Sequence, residues 1–168
     1  MPSSLATQTV SLLTAALSEV ETDILFVPVF EGEEPGSLLD GLGEPTSHAV
    51  SRAVRTREFQ GKAFDLYLLP VVSGWKAARV ALIGCGRRED ASLERIRRVA
   101  GAAALAARQR RLPRVAILNR GLEPAADAAQ AITEGLVLAS YSGDIYKSGE
   151  RSGPAAEQTV VVNTRQSD

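Results

Sequence analysis

Residues 79–118 constrain the fold more than any other stretch. Arg79-Val80-Ala81-Leu82-Ile83 is a short apolar run that breaks at Gly84-Cys85-Gly86 and passes through Arg87-Arg88-Glu89-Asp90. A long helical pattern follows, from about Ser92 to Arg110. Leu93, Ile96, Ala100, Ala103 and Ala107 recur on one face, and Val99, Ala104 and Ala106 widen the stripe. So many alanines bring the helix close to whatever it covers. Arg108, Arg110 and Arg111 gather at its C-terminus, where positive charge complements the helix dipole. Pro113 forbids continuation, and Arg114-Val115-Ala116-Ile117-Leu118 is a second apolar run. Strand, glycine turn, helix and strand make a right-handed βαβ unit.

The rest of the chain builds on that unit. Residues 24–30 are unbrokenly apolar, which suits a strand covered on both faces. Pro28 lacks an N–H and so belongs at the strand's end or at an unpaired position. Residues 8–13 alternate weakly and predict an edge strand. Residues 37–57 predict a helix interrupted near 41–45, with Thr46 or Ser47 capping the second piece and Ala49, Val50, Ala53 and Val54 facing inward. Residues 64–72 predict a strand, and Gly74-Trp75-Lys76 a hairpin loop into 79–83. A connection this short implies antiparallel pairing. After 114–118, Asn119-Arg120-Gly121 reads as a turn and Pro124 fits the first turn of a helix. Ala125, Ala129, Ile132, Leu136 and Ala139 carry that helix at a 3.6 period. Residues 141–153 predict a polar loop and 159–162 a last strand. The series gives an α/β layered domain with helices on both faces of a mixed sheet.

Bulk properties narrow the function. A chain of 168 residues fits one domain, and a globule of that length buries roughly 70% of the surface its unfolded chain exposes. A net charge of −1 argues against a general polyanion binder. The single Cys85 cannot form an internal disulfide, which suits a reducing compartment. Residues 1–4 lack the basic start of a signal peptide, and no apolar run approaches the ~20 residues of a membrane helix. The expectation is a cytoplasmic protein with no membrane association.

Few residues invite chemistry. Glycines at the mouth of a helix can cradle an anion, which makes Gly84, Cys85 and Gly86 the candidate anion or ligand turn. The pattern completes neither a dinucleotide fingerprint nor a phosphate loop, and Glu89 and Asp90 would oppose a phosphate there. Arg87 and Arg88 can lower the pKa of Cys85, with His48 its sole imidazole partner in the chain. One His and one Cys make a zinc site improbable. Asp23, Asp65 and Asp144 sit at element edges, where turns and caps explain them. Arg95, Arg97, Arg98, Arg108, Arg110, Arg111 and Arg114 form the main basic concentration, a solvated face by default and a nucleic-acid contact as the alternative. Residue patterns alone define no catalytic site.

Several stretches in order resemble the N-terminal domain of the cytosolic leucyl aminopeptidase family, the hexameric two-metal enzymes. Residues 23–32 are similar to that domain's early strand and its exit, and Phe59-Gln60-Gly61-Lys62 to its segment before the hairpin. Residues 79–86 resemble its strand and glycine turn, where Leu is more usual than Cys85. Residues 93–103 resemble its alanine-rich helix, and 134–141 with Tyr146-Lys147-Ser148 the end of its last helix and the loop beyond. The likeness spans about 8–163 of a single domain of 1–168, with 164–168 as a polar tail. It implies a three-layer, macro-domain-like α/β fold, a mixed sheet of about six strands flanked by helices.

In that family the metal ligands and the catalytic Lys and Arg lie in a C-terminal domain. Asn163-Thr164 begins like its Asn-Thr-Asp-Ala-Glu-Gly-Arg motif, but Arg165-Gln166-Ser167 does not continue it. The resemblance therefore carries no catalytic, cofactor-binding or metal-ligating residue onto this chain. The family's two divalent metals, zinc or manganese, are expected in the domain absent here. The implied role is a non-catalytic domain serving assembly or regulation, partnered by a catalytic domain or by self-association. The alternatives are a stand-alone module binding a nucleotide-type small molecule, or a DNA-contacting domain through Arg95, Arg98, Arg108, Arg110 and Arg111.

Overall fold

A computed structural model describes residues 9–39, 44–69, 74–120, 122–141 and 158–163. The strands are β1 (Thr9–Thr14), β2 (Ile24–Val29), β3 (Leu66–Leu68), β4 (Val80–Gly84), β5 (Arg114–Leu118) and β6 (Gln158–Asn163). The helices are α1 (Glu44–Arg55), α2 (Leu93–Gln109) and α3 (Ala125–Ser140). The strands form one sheet in the order β1-β6-β5-β2-β4-β3. Every neighbouring pair is parallel except β3–β4, so the sheet is mixed.

Strand alternation sorts the core into two layers. Ile24 and Phe26 of β2, Ala81 and Ile83 of β4, and Val115 and Ile117 of β5 pack with Ile96, Val99, Ala100 and Ala103 of α2 and Ile132 and Leu136 of α3. Leu25, Val27 and Val29, Val80 and Leu82, and Ala116 and Leu118 turn the other way, onto Val50 and Ala53 of α1 with Leu39 and Trp75. The molecule is thus helix, sheet, helix. The α2 and α3 connections step across the sheet in the same direction, from β4 to β5 and from β5 to β6, so the right-handed rule places both on one face. The segment leaving β2 goes to the other face. The chain therefore parts to opposite sides at the carboxyl ends of the central strands. In open α/β sheets such a switch point is where crevices form.

Details bear on the sequence reading. All six positions of β2 are buried, as an unbroken apolar run requires. Pro28 stands opposite Ile83, and alternation turns its missing N–H toward β5, past the last β2–β5 pair, Phe26 with Ile117. Ser92 caps α2, its Oγ accepting from the Arg95 N–H at 3.1 Å. Three expectations need correction. α1 begins at Glu44 with Pro45 in its first turn, which puts Thr46 inside the helix and buried, so neither Thr46 nor Ser47 is the cap. Leu93 is exposed, and the buried stripe of α2 starts one turn later at Ile96. Among the described residues, the strand expected over 64–72 holds Leu66–Leu68 and does not include Phe64. Phe64 has φ +71°, which extended backbone excludes. Residues 40–43, 70–73 and 142–157 lie outside the described residues, and with them most of the predicted helix break, the end of the strand expected over 64–72, nearly all of the polar loop and Asp144.

Candidate functional site

The switch point is closed by an ionic knot that ties together three loops. Glu33 lies in the loop after β2, and its Oε2 accepts from the Phe30 N–H at 2.9 Å. Arg120, just past β5, grips the same carboxylate with both terminal nitrogens, at 2.8 and 2.9 Å. Such bidentate pairs are the strong form of the interaction. Arg88, past β4, adds a contact of 2.5 Å, and its guanidinium lies 4.2 Å from the centre of the Phe30 ring. The Arg120 hydrogen bonds hold the Glu33 carboxyl down to about 2 against the opposing effect of burial. Arg120 also donates to the Pro28 carbonyl at 2.7 Å, on the side where β5 has left β2. A cleft of about 410 Å³ opens beside the knot, between Phe30 and Glu33 on one wall and Phe59 and Gly61 on the other.

The glycine turn sits in this rim with its donors already engaged. Gly84 N–H donates to the Asp65 carbonyl at 2.7 Å, Cys85 N–H to Val29 at 2.8 Å, and Gly86 N–H to Gly61 at 2.9 Å. Backbone donors are what an anion cradle needs, and this turn spends all three on backbone carbonyls. The glycines have another reason. A Cβ on Gly84 would lie 1.8 Å from the Lys62 carbonyl oxygen and within 2.8 Å of Gly61. Gly86 has φ +78°, and a Cβ there would stand 2.4 Å from an Arg95 terminal nitrogen. The turn thus admits the 61–62 segment, whereas the close helix approach occurs elsewhere: a Cβ on Gly135 of α3 would lie 2.1 Å from the Arg97 carbonyl oxygen of α2.

Cys85 is fully buried, and burial pushes its thiol up to about 12, so it stays protonated. It belongs to the layer under α2 and α3, whereas His48 is exposed on α1, on the opposite face of the sheet. The structure does not bring them together. Asp23 is a brace: it accepts from the Arg114 N–H at 3.0 Å and from the guanidinium at 2.8 Å, and those hydrogen bonds lower its pKa. Asp65 offers its carbonyl to Gly84.

The arginines do not converge on one face. At about 100° per residue, Arg95 and Arg108 lie about 140° apart around α2. Arg95 donates to the Cys85 carbonyl at 3.3 Å, Arg98 pairs with Glu94 at 2.9 Å, and Arg110 donates to the Ala106 carbonyl. Arg97 joins Glu94 and Glu134 across α2 and α3. Arg111 follows α2 with φ +57°, another turn out of the helix line. Asp23, Glu33, Glu94 and Glu134 are thus held by arginines, and among the described residues no three His, Cys, Asp or Glu side chains are placed to hold a metal ion. These residues do not fit a two-metal centre.

Sequence reasoning missed Arg120 and Glu33. They stand 87 residues apart, and no local spacing links them. It also missed a second depression of about 510 Å³ on the outer side of α2 and α3, where exposed Phe64, Leu105 and Leu138 surround Gly101 and Ala102.

The architecture defines a class first: a three-layer α/β domain of the macrodomain type. The macrodomain of Mycobacterium tuberculosis DarG superposes with a TM-score of 0.62 at 11% identity, covering 94% of this chain and 99% of that one. A tomato leucine aminopeptidase mutant superposes at 0.64 with 18% identity, over 94% of this chain and 32% of that one. At these identities the likeness speaks for the fold. The family follows from sequence. Residues 26–150 match the model of the cytosol aminopeptidase family, N-terminal domain, and the chain belongs to that family. A probable cytosol aminopeptidase of Thermosynechococcus vestitus is 34% identical over 137 residues, which is 79% of this chain and 27% of the relative. One from Geotalea uraniireducens is 32% identical over 128 residues, 76% of this chain and 26% of the relative. The chain thus spans about a quarter of the length of these curated relatives. Among the described residues no helix is long and apolar enough to cross a membrane.

Proposed function

We propose that this chain acts as the non-catalytic N-terminal domain of a leucyl aminopeptidase-type metallopeptidase, serving assembly or regulation beside a catalytic portion that holds the two divalent metals. The observation that carries this reading is the match of 26–150 to that domain, the aligned stretch covering about a quarter of the relatives' length. The geometry supports it. At the switch point, the groups that would receive a ligand brace the fold: Glu33 is held by Arg120 and Arg88, and the turn amides are bonded to backbone. The exposed apolar groove over α2 and α3 gives the domain a surface suited to protein contact. The expected compartment is the cytoplasm, as the relatives' name implies.

The test is turnover of a leucyl chromogenic substrate by the purified chain, with Mn²⁺ or Zn²⁺ and without. The proposal expects no metal-dependent hydrolysis by the chain alone. Saturable, metal-dependent turnover that copurifies with the chain would overturn it.

A further inference from the structure

We propose that the outer edge of β1 is a pairing surface for a second copy of this chain, the two β1 strands joining antiparallel to make one sheet through both molecules. β1 ends the sheet order, and among the described residues its one strand neighbour is β6. Along a strand, N–H and C=O groups point alternately to either side, so half of those on β1 face outward, where another strand's backbone can meet them. Sheet edges are normally guarded by charge, proline, bulges or short length. β1 has none of these guards. It is six residues long, and residues 1–18 contain no Asp, Glu, Lys or Arg and no proline after Pro2. Five of its six residues are exposed, Leu12 at 65% and Leu13 at 39%. The opposite edge differs: β3 is three residues long, with Asp65 and the positive-φ Phe64 just before it.

Symmetry and charge name the occupant. Two antiparallel edge strands are related by a two-fold axis perpendicular to the sheet, and that operation keeps each face with its own kind. Val10 and Leu12 of one copy then share a face with Val10 and Leu12 of the other, so apolar residues meet apolar residues across the junction. A self-paired strand ordinarily risks setting like charges against each other. This one carries no charge, and a net charge of −1 per chain adds little repulsion between copies. The inference stands on β1 alone, whether or not the chain also meets a catalytic portion.

Sedimentation velocity over low to high micromolar concentrations of the purified chain tests it. The expected result is a reversible monomer–dimer equilibrium. Leu12→Lys should weaken it at least about tenfold, with the circular dichroism spectrum and dilute thermal midpoint unchanged. Leu12→Glu should weaken it likewise, and an equimolar mixture of the two variants should restore dimer through opposite charges at the junction. A chain monomeric at every concentration overturns the proposal. So does a dimer indifferent to Leu12→Lys, or one that the mixture of the two variants fails to restore.

Discussion

β1 and β2 are both six residues long and both uncharged, yet one is exposed at five of its six positions and the other wholly buried. Composition already separates them, since Thr9, Ser11 and Thr14 interrupt β1 whereas β2 is wholly apolar, and position in the topology completes the difference. β2 lies between β4 and β5 with helices on both faces, so each of its side chains enters one core layer or the other. β1 lies at the margin, where only Val10 packs against the layer under α2 and α3. The same contrast governs polar groups. At the carboxyl end of β2 the neighbouring backbone donors and the Glu33 carboxylate find partners inside the molecule. Along β1 one row of backbone groups meets no other strand among the described residues. In this domain the centre is closed and the margin is open.

The sharpest way to break that contrast is Gly84→Ala. The new methyl would be pressed 1.8 Å from the Lys62 carbonyl oxygen, with Gly61 backbone behind it, so no flexible side chain can give way. A loss above about 4 kcal/mol is expected, seen as disappearance of a cooperative thermal transition. Phe26→Ala comes next. It empties a fully buried aromatic site in β2 and should cost about 3–5 kcal/mol by urea denaturation.

Glu33→Gln probes the rim and should cost about 1–3 kcal/mol at neutral pH, because two arginines lose their charged acceptor. Its pH dependence has a definite sign. The folded carboxyl titrates at about 2 against an ordinary 4.5, so its stabilisation is fully present above the ordinary value and is lost as pH falls toward the folded one. Wild-type stability should therefore fall between those two values with a component that Glu33→Gln lacks, read from thermal midpoints across the acid range. The smallest effect belongs to the margin. Leu12→Ala should change monomer stability by no more than about 0.5 kcal/mol; a loss like that of Phe26→Ala would show that β1 is packed rather than open.

Local features were legible in the sequence. The α2 stripe follows from the spacing of Ile96, Val99, Ala100 and Ala103, its start from Ser92, and the burial of β2 from an apolar run without alternation. The antiparallel β3–β4 edge followed from a short connection. What escaped depends on distant approach. Nothing near Gly84 in sequence announces Lys62 at its back, and nothing near Arg120 announces Glu33. The turn glycines suggested an anion cradle because sequence shows which residues can bend but not where their N–H groups point. Leu93 fitted the helical period yet lies exposed, since periodicity marks a face and not how far the core extends along it.

Native-state hydrogen exchange tests the closed centre and open margin together. The amides of Gly84, Cys85 and Gly86 should exchange only through global unfolding, with the protection of the β2 amides, and added pyrophosphate should leave them unchanged. In dilute, monomeric protein alternate β1 amides should exchange orders of magnitude faster. Fast exchange at Gly84–Gly86, or protection there that pyrophosphate increases, would contradict the account. It would mean that the turn keeps free donors and that the rim is a ligand site after all.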